Sequence, residues 1–434
     1  MLEDRVNRAF EKIYASYLRR VPTQRDEDRH PEHTGWLLEV LGRPDRAAHN
    51  IVVTGSKGKG STATFIAQFL ALKGGPIGLF TSPHLLDWFE RIRIDGHMIT
   101  AHEFLARFEE LEPHLDHIVS QLLPGQYVGP NGIFAVIAAL HFRAHGVRWA
   151  VYETGRGALF DDVTQIHHAV SAITVVLAEH VAELGPTLQD IARHKAGVIA
   201  PETVVAVLGS DDQILRQAVQ QRVKSVGSRT EVVNAVETVR VENVELTPTG
   251  TRFDVRWCDG RRWPALHLPA LGPLVQNVAT ALTVAERVAG PLPEDGVRRI
   301  VSRLHWPGRG EVFSLQPYVL VDAAVRPESL APLLTQLPPF DIAVLSIPDS
   351  KDRAGVRDLV HEHVTALILT STSNPRLLYH FSDRDAGEKA RVVTEVHEAL
   401  SLAMGMASPS SRLLFAGTIS FIADVYRYFG RRVE

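Results

Sequence analysis

The chain has 434 residues, of which 45 % are hydrophobic and 22 % charged, and its formal net charge is −4. This composition is typical of a globular protein with a sizeable core, and the length predicts two or three domains. The slight acidic excess argues against a nucleic-acid-binding protein, because such proteins usually carry a basic excess. The single cysteine, Cys258, excludes an intrachain disulfide, and no apolar run reaches the ~18 residues that a membrane span needs. We therefore expect a cytoplasmic protein without nucleic-acid or membrane partners.

The first half of the chain alternates between strand and helix patterns. An amphipathic helix is predicted over residues 3–19, followed by a charged surface loop at 22–34. A β-branched run at 51–54 predicts a strand, and the apolar spacing at 61–73 predicts a helix after a glycine-rich loop. Such alternation favours a mostly parallel sheet covered on both faces, whose ligands collect at the carboxyl ends of the strands. Further strands are predicted at 77–81, 149–153 and 172–176, and further helices at 102–120 and 133–145.

The second half begins with a change of pattern. Residues 225–265 contain short alternating runs with turn residues, which predicts antiparallel strands, and a helix is predicted at 272–289. Residues 306–311 contain a proline and two glycines and are the best candidate for a hinge. We therefore predict an α/β protein with an N-terminal nucleotide-binding domain at 1–305 and a C-terminal α/β domain at 312–434. The strands predicted in the second domain lie at 318–322, 342–346, 366–370 and 412–416.

The glycine-rich loop has the sequence Val53-Thr-Gly-Ser-Lys-Gly-Lys-Gly-Ser-Thr62. A loop of this kind between a strand and a helix directs backbone N–H groups toward one point, and the helix dipole favours an anion there. Lys59 would reach the β- and γ-phosphates of a nucleotide, while Ser61 or Thr62 would help to hold magnesium. A plain glycine turn is the alternative, which the order of strand, loop, lysine, hydroxyl and helix disfavours. The predicted phosphate-binding residues are Gly55, Ser56, Lys57, Gly58, Lys59, Gly60, Ser61 and Thr62.

Several further motifs follow this loop in a fixed order, and together they resemble the folylpolyglutamate synthase/dihydrofolate synthase family of the Mur ligase superfamily. The resemblance implies a P-loop ATPase domain with a mostly parallel sheet, followed by a smaller Rossmann-like α/β domain. It also implies a monomer that uses ATP to activate the carboxylate of a folate-type acid as an acyl phosphate. The amine of glutamate then displaces phosphate and leaves an amide. The motifs lie at 79–85, 90–92, 184–188, 194–198, 306–309, 375–376 and 417–421.

The same resemblance implies a role for particular residues. Ser82, Glu153 and His180 match magnesium ligands, and Lys195 matches a lysine that the family carries as a carbamate to bind a second magnesium ion. The other matches are Lys59 as the phosphate-loop lysine, Arg309 as an arginine that reaches the γ-phosphate, Asp322 as the first residue of a cleft motif, and Asn277 as an adenine contact. Each side chain also has an ordinary alternative when taken alone, such as a turn cap for Ser82, a salt bridge for Glu153 and a favourable helix C-terminal charge for Lys195.

Several motifs depart from the family pattern, and the most telling departure is in the second domain. Residues 322–327 read Asp-Ala-Ala-Val-Arg-Pro, where relatives usually have Asp-Gly-Ala-His-Asn-Pro. Val325 removes a hydrogen-bonding imidazole, and Arg326 adds a cation able to clamp a carboxylate. The sequence therefore leaves open the same ligase chemistry on a different acid and amine, a non-catalytic ATP-binding relative, and a P-loop kinase.

Overall fold

The computed structural model of the chain describes residues 1–18, 28–272, 274–382, 385 and 389–433. The surface loop predicted at 22–34 falls partly outside these residues, and its described end includes the start of a helix at Glu32. None of the helices in the described ranges combines the length and the apolar character that a membrane crossing requires.

The described chain divides into two units, whose boundaries differ from the predicted domain boundaries. The first unit comprises residues 1–241, 255–262 and 276–297, and the second comprises 242–254, 263–275 and 298–434. The predicted division into 1–305, 306–311 and 312–434 had placed the segments 242–254 and 263–275 in the N-terminal domain. These segments belong to the second unit because hydrogen bonds tie them to it, for example from Leu271 N to Gly310 O at 2.7 Å.

An eight-stranded sheet forms the centre of the first unit, in the order β4-β3-β2-β5-β1-β6-β7-β8. Its six strands from β2 to β8 in that order run parallel, whereas β3 and β4 are antiparallel at one edge. Ile51, Val52 and Val53 in β1 are almost fully buried, as expected for a central parallel strand covered on both faces. The strands are β1 (His49–Thr54), β2 (Ile77–Phe80), β3 (Ile92–Ile94), β4 (His97–Met98), β5 (Trp149–Glu153), β6 (Val170–Ile173), β7 (Val205–Leu208) and β8 (Glu231–Asn234).

The helices that follow these strands cover the sheet. The strongly apolar α5 is almost entirely buried, and its side chains share one core with β1, β2 and β5. The helices are α1 (Leu2–Leu18), α2 (Glu32–Val40), α3 (Lys59–Ala71), α4 (Ala101–Gln121), α5 (Pro130–Ala144), α6 (Val181–Leu184), α7 (Leu188–Ala196), α8 (Gln213–Val226) and α9 (Ala235–Thr238).

The region predicted to be antiparallel is divided between two sheets. β8 joins the main sheet parallel to β7, so the prediction was wrong for this strand. The next three strands form a separate sheet in the order β11-β10-β9, in which the Asn243–Asp254 and Glu245–Arg252 side-chain pairs indicate a hairpin. The unit boundaries fall within five elements, namely β9 (Val239–Thr247), β10 (Gly250–Trp257), β11 (Arg262–Leu268), α10 (Leu274–Ala289) and α11 (Glu294–Arg303).

A six-stranded sheet forms the second unit, in the order β12-β13-β17-β14-β15-β16. All its strands run parallel except β12, which is antiparallel to β13 at one edge. The strands are β12 (Glu311–Leu315), β13 (Tyr318–Asp322), β14 (Phe340–Ser346), β15 (Val364–Leu369), β16 (Ala390–Val392) and β17 (Arg412–Gly417). The helices between them are α12 (Pro327–Gln336), α13 (Arg353–His361), α14 (Val396–Met406) and α15 (Ile419–Tyr428).

Candidate active site

The glycine-rich loop connects β1 to α3 as predicted. Gly55 has a φ of 139° and Gly58 a φ of 82°, conformations that side chains rarely allow. A Cβ atom on Gly55 would lie 1.9 Å from Thr174 Oγ1. Both glycines are therefore required by the backbone of this turn, which brings the chain directly from the end of β1 into the first turn of α3 at Lys59.

The segment after β6 holds this loop in place. Ser56 N donates to Val175 O at 2.8 Å, and the Ser56 hydroxyl donates to Leu177 O at 3.2 Å. The Thr174 hydroxyl donates to Lys57 O at 2.6 Å. Gly58 is the N-cap of α3 and provides no side-chain cap. The first N–H groups of any helix have no intrahelical acceptor. Since no side chain caps α3 at Gly58, these N–H groups are a favourable binding site for a phosphate.

Two lysines donate to the same carbonyl of the loop. Lys59 Nζ donates to Gly55 O at 3.0 Å and to Ser56 O at 3.4 Å. Lys195 is completely buried on α7, and its Nζ donates to Gly55 O at 2.8 Å and to Arg156 O at 2.5 Å. The amine groups of both lysines thus lie at the base of the loop. The predicted carbamate on Lys195 stays a prediction.

Glu153 and Ser82 meet beside the same helix. Glu153 ends β5 with 5 % of its surface exposed, and its Oε2 atom accepts a hydrogen bond from Ser82 N at 2.9 Å. A Cβ atom on Gly60 would lie 3.2 Å from that oxygen, so the carboxylate lies against the N-terminus of α3. The helix dipole stabilises a negative charge there. The structure therefore brings two predicted magnesium ligands to the phosphate loop.

The hydroxyl of Thr62 bears on whether a cation with oxygen ligands could bind beside the phosphate loop. It is buried in the first turn of α3, and no group in the described part of the chain forms a hydrogen bond with it. Hydroxyl and carboxylate oxygens are suitable ligands for Mg²⁺. The donor set of Thr62, Ser82 and Glu153 is consistent with that ion.

His180 lies on the other side of the loop, before α6, in the left-handed conformation with a φ of 55°. Its Nδ1 atom is 3.9 Å from Glu183 Oε2. Burial lowers the pKa of His180; Glu179 and Glu183 oppose this shift, and Arg156 and Lys195 reinforce it. The lowered pKa favours the neutral imidazole, the form that binds metals and accepts protons. The predicted role of His180 as a magnesium ligand stays a prediction.

Asn277 of α10 lies against the phosphate loop. A Cβ atom on Gly58 would be 2.4 Å from Asn277 Oδ1. The amide therefore packs on the glycine next to Lys59, and its predicted contact with adenine stays a prediction. Sequence reasoning missed Thr174, whose hydroxyl holds the loop. Its only signal is a hydroxyl within the strand predicted at 172–176, which in the structure ends at Ile173.

Arg309 and Asp322 belong to the second unit. Asp322 ends β13, and its Oδ2 atom accepts a hydrogen bond from Gly310 N at 2.6 Å. Ala323 N donates to Gly308 O at 2.7 Å, so the end of β13 holds the segment 306–311. The side chain of Arg309 is exposed, and Arg326 is the N-cap residue of α12. The predicted roles of Arg309 and Asp322 in nucleotide binding and catalysis stay predictions.

The fold and the loop together define a P-loop α/β protein. No protein-family model matches the chain. It is 30 % identical over 415 residues to the probable bifunctional folylpolyglutamate synthase/dihydropteroate synthase of Haloferax volcanii, covering 92 % of this chain and 48 % of that protein. The chain thus spans about half the length of this archaeal relative. It is 29 % identical over 404 residues to folylpolyglutamate synthase of Lacticaseibacillus casei, covering 90 % of this chain and 92 % of the relative.

A solved structure agrees with these relatives. Mycobacterium tuberculosis folylpolyglutamate synthase, crystallised with ADP and AMPPCP, has a TM-score of 0.83 and 26 % identity over 93 % of this chain and 96 % of that one. Over about nine tenths of its length the chain is thus similar to proteins named folylpolyglutamate synthase. The predictions of the family and of the fold class are therefore confirmed.

Proposed function

We propose that the chain is an ATP-dependent ligase that joins glutamate to the carboxylate of a folate-type acid. The carboxylate attacks the γ-phosphorus of ATP, ADP leaves, and an acyl phosphate forms. The glutamate amine then attacks the acyl carbon, phosphate leaves, and the amine proton passes to a base. The observation that carries this proposal is the convergence of Lys59, Lys195 and Glu153 on one glycine-rich loop, in a chain that is similar to folylpolyglutamate synthases.

The main physical problem of the first step is repulsion, because an anionic carboxylate approaches an anionic triphosphate. The N-terminus of α3 and the ammonium group of Lys59 supply positive charge where negative charge accumulates. Ser82, Glu153 and Thr62 would hold Mg²⁺, which offsets phosphate charge when bound. In this proposal His180 and a carbamylated Lys195 hold a second Mg²⁺ ion.

Three further residues have proposed roles. Arg309 would bind the γ-phosphate, Asp322 would act in nucleotide binding and catalysis, and Asn277 would contact adenine. Arg326 presents a cation where the family has asparagine, and it would bind a carboxylate of the acid or of glutamate. This substitution is the observation that favours the second candidate function, the same ligase chemistry on a different acid and amino acid.

The test is an assay of phosphate release from ATP and Mg²⁺ with dihydropteroate or a reduced folate and with glutamate. We expect release only when both acid and amine are present, and mass spectrometry should show the amide product. Lys59→Ala should abolish it, whereas Lys224→Ala, on the exposed face of α8, should not. AMPPCP binding without turnover on any acid and amine would support a non-catalytic relative, and a stable phosphorylated product would support a kinase.

Oligomeric state is part of the same proposal. We propose that the chain acts as a monomer, as the family resemblance implied. Light scattering of the purified protein across a tenfold concentration range should give a constant mass of about 48 kDa.

A further inference from the structure

Two histidines and a glutamate form a cluster between α4 and α5. His141 lies in the last turn of α5, and His145 is the C-cap residue of the same helix. Residues four apart share one face of a helix, and the two ring centroids are 4.3 Å apart. Glu103 reaches this face from the first turn of α4. One ligand atom from each of the three residues lies within 4.8 Å of the other two.

The hydrogen bonds of His145 determine what its ring presents to Glu103. Its Nδ1 atom lies 2.9 Å from the carbonyl oxygen of His141, and a carbonyl only accepts, so Nδ1 carries the hydrogen. The opposite atom, Nε2, lies 3.2 Å from Glu103 Oε1. A nitrogen lone pair facing a carboxylate oxygen is repulsive. A cation between these two atoms, either a proton or a metal ion, removes this repulsion.

Glu103 is fixed in a position that leaves one oxygen for this contact. Its Oε2 atom accepts hydrogen bonds from Thr100 N at 2.9 Å and from the Thr100 hydroxyl at 2.7 Å. Glu103 N donates to the Thr100 hydroxyl at 3.2 Å and completes the capping box of α4. Its Oε1 atom faces His145. The capping box thus orients the carboxylate in the way that outer hydrogen bonds orient metal ligands.

His141 supplies a second, independent observation. Its side chain is buried, with 3 % of the residue exposed, and its Nδ1 atom has no hydrogen-bond partner within the described ranges. Buried polar atoms without a partner are uncommon and call for an explanation.

We propose that Glu103, His141 and His145 form a binding site for a divalent transition metal ion, with Zn²⁺ as the best match. Two imidazoles and one carboxylate are a known zinc ligand set, with water as the fourth ligand. Imidazole nitrogen disfavours Mg²⁺ and Ca²⁺, which prefer oxygen. The C-terminal end of α5 also favours a cation through its dipole.

The two neighbouring arginines have another carboxylate as their partner. Arg107 and Arg143 both pair with Glu110, at 3.0 and 2.6 Å.

The site is remote from the phosphate loop. α5 has 15 residues, so its ends are about 20 Å apart at 1.5 Å per residue. The cluster lies at the end of α5 that precedes β5, whereas Glu153 lies at the far end of that strand. The metal would therefore join α4 to α5 and stabilise the first unit without taking part in catalysis, and the proposal stands independently of the proposed function.

The experiment uses the full-length, untagged protein after treatment with a chelator. Zn²⁺ alone is titrated by calorimetry, and bound metal is counted by mass spectrometry after desalting. We expect one site per chain and a rise in Tm with Zn²⁺. Glu103→Gln keeps a capping-box residue and removes the carboxylate, while His145→Ala removes a partly exposed ligand. Each should weaken binding by more than about tenfold, since even outer partners of metal ligands contribute 10–100-fold.

The matched control is His102→Ala, which removes an exposed histidine of α4 next to Glu103 and should leave zinc binding unchanged. Circular dichroism of the metal-free variants verifies that they fold. Failure of the wild-type chain to bind Zn²⁺, or equal affinity in the wild-type, E103Q and H145A proteins, would overturn the proposal. Saturation of the same site by Mg²⁺ would also overturn it.

Discussion

Gly55→Ala is the most direct test of the phosphate loop. With a φ of 139° at this position, the new side chain would adopt a conformation that alanine disfavours. Its Cβ atom would also lie 1.9 Å from Thr174 Oγ1 and 3.0 Å from Thr174 Cβ. Thr174 would have to move, and the hydrogen bond from its hydroxyl to Lys57 O would break. The backbone of the phosphate loop would therefore change its conformation.

The expected magnitude follows from these two effects. A residue held in a disfavoured backbone conformation costs about 1–3 kcal/mol, and a lost hydrogen bond costs about 0.5–1.5 kcal/mol. A nucleotide that needs the native loop must restore it on binding, so its affinity falls by the same free energy. About 2–4 kcal/mol corresponds to a loss of roughly 30- to 1,000-fold in affinity, since a tenfold change is about 1.4 kcal/mol.

The assay is calorimetric titration of AMPPCP in the presence of Mg²⁺. Gly74→Ala is the matched control, because Gly74 also has a positive φ of 78° but no atom lies within 4 Å of the added Cβ. It should reduce stability slightly and leave nucleotide affinity unchanged. A Kd for the Gly55→Ala variant within threefold of the wild-type value would refute the argument that this loop binds the nucleotide in the geometry described.

Three further predictions concern the proposed reaction. Lys195→Ala should lose most of its turnover in the phosphate-release assay, and formate should restore part of it if the lysine carries a carbamate; an unchanged rate would restrict this lysine to a structural role. Glu153→Gln keeps an acceptor for Ser82 N but removes the charge, so the Mg²⁺ concentration for half-maximal rate should rise at least about tenfold, and an unchanged Mg²⁺ requirement would argue against this ligand. Arg326→Ala should raise KM for the acid or for glutamate but not for ATP, while equal changes for all three substrates would exclude a specific clamp.

Local patterns in the sequence were sufficient to predict the strand and the helix on either side of the phosphate loop. The β-branched run before the glycines predicts β1, and the apolar spacing after them predicts α3, because strand and helix periodicity are properties of short segments. Glu153 lies beside the loop, because the carboxyl ends of neighbouring parallel strands meet at one edge of a sheet.

Contacts between segments that are distant in sequence could not be predicted from local patterns. Asn277 lies on Gly58, and Lys195 donates to carbonyls of two separate loops, contacts that no local pattern encodes. The pairing of β8 with β7 was missed because a short alternating run fits either strand direction. His141 and His145 have a visible spacing of four, but Glu103 joins them only through the packing of α4 on α5.

The segment 306–311 has a consequence for how this chain can be altered. Gly310 N donates to Asp322, and Gly308 N donates at 2.7 Å to the buried carboxylate of Glu311, which also accepts from Tyr426. The carboxylates of Glu311 and Asp322 thus accept hydrogen bonds from the backbone N–H groups of Gly308 and Gly310. A flexible insert between Gly308 and Gly310 would break both of these hydrogen bonds. The buried carboxylate of Glu311 would then lose one of its donors. We therefore expect an inserted spacer, fluorophore or protease site to destabilise the protein less at other positions. The hydrogen bonds of residues 306–311 make this segment an ordered part of the second unit.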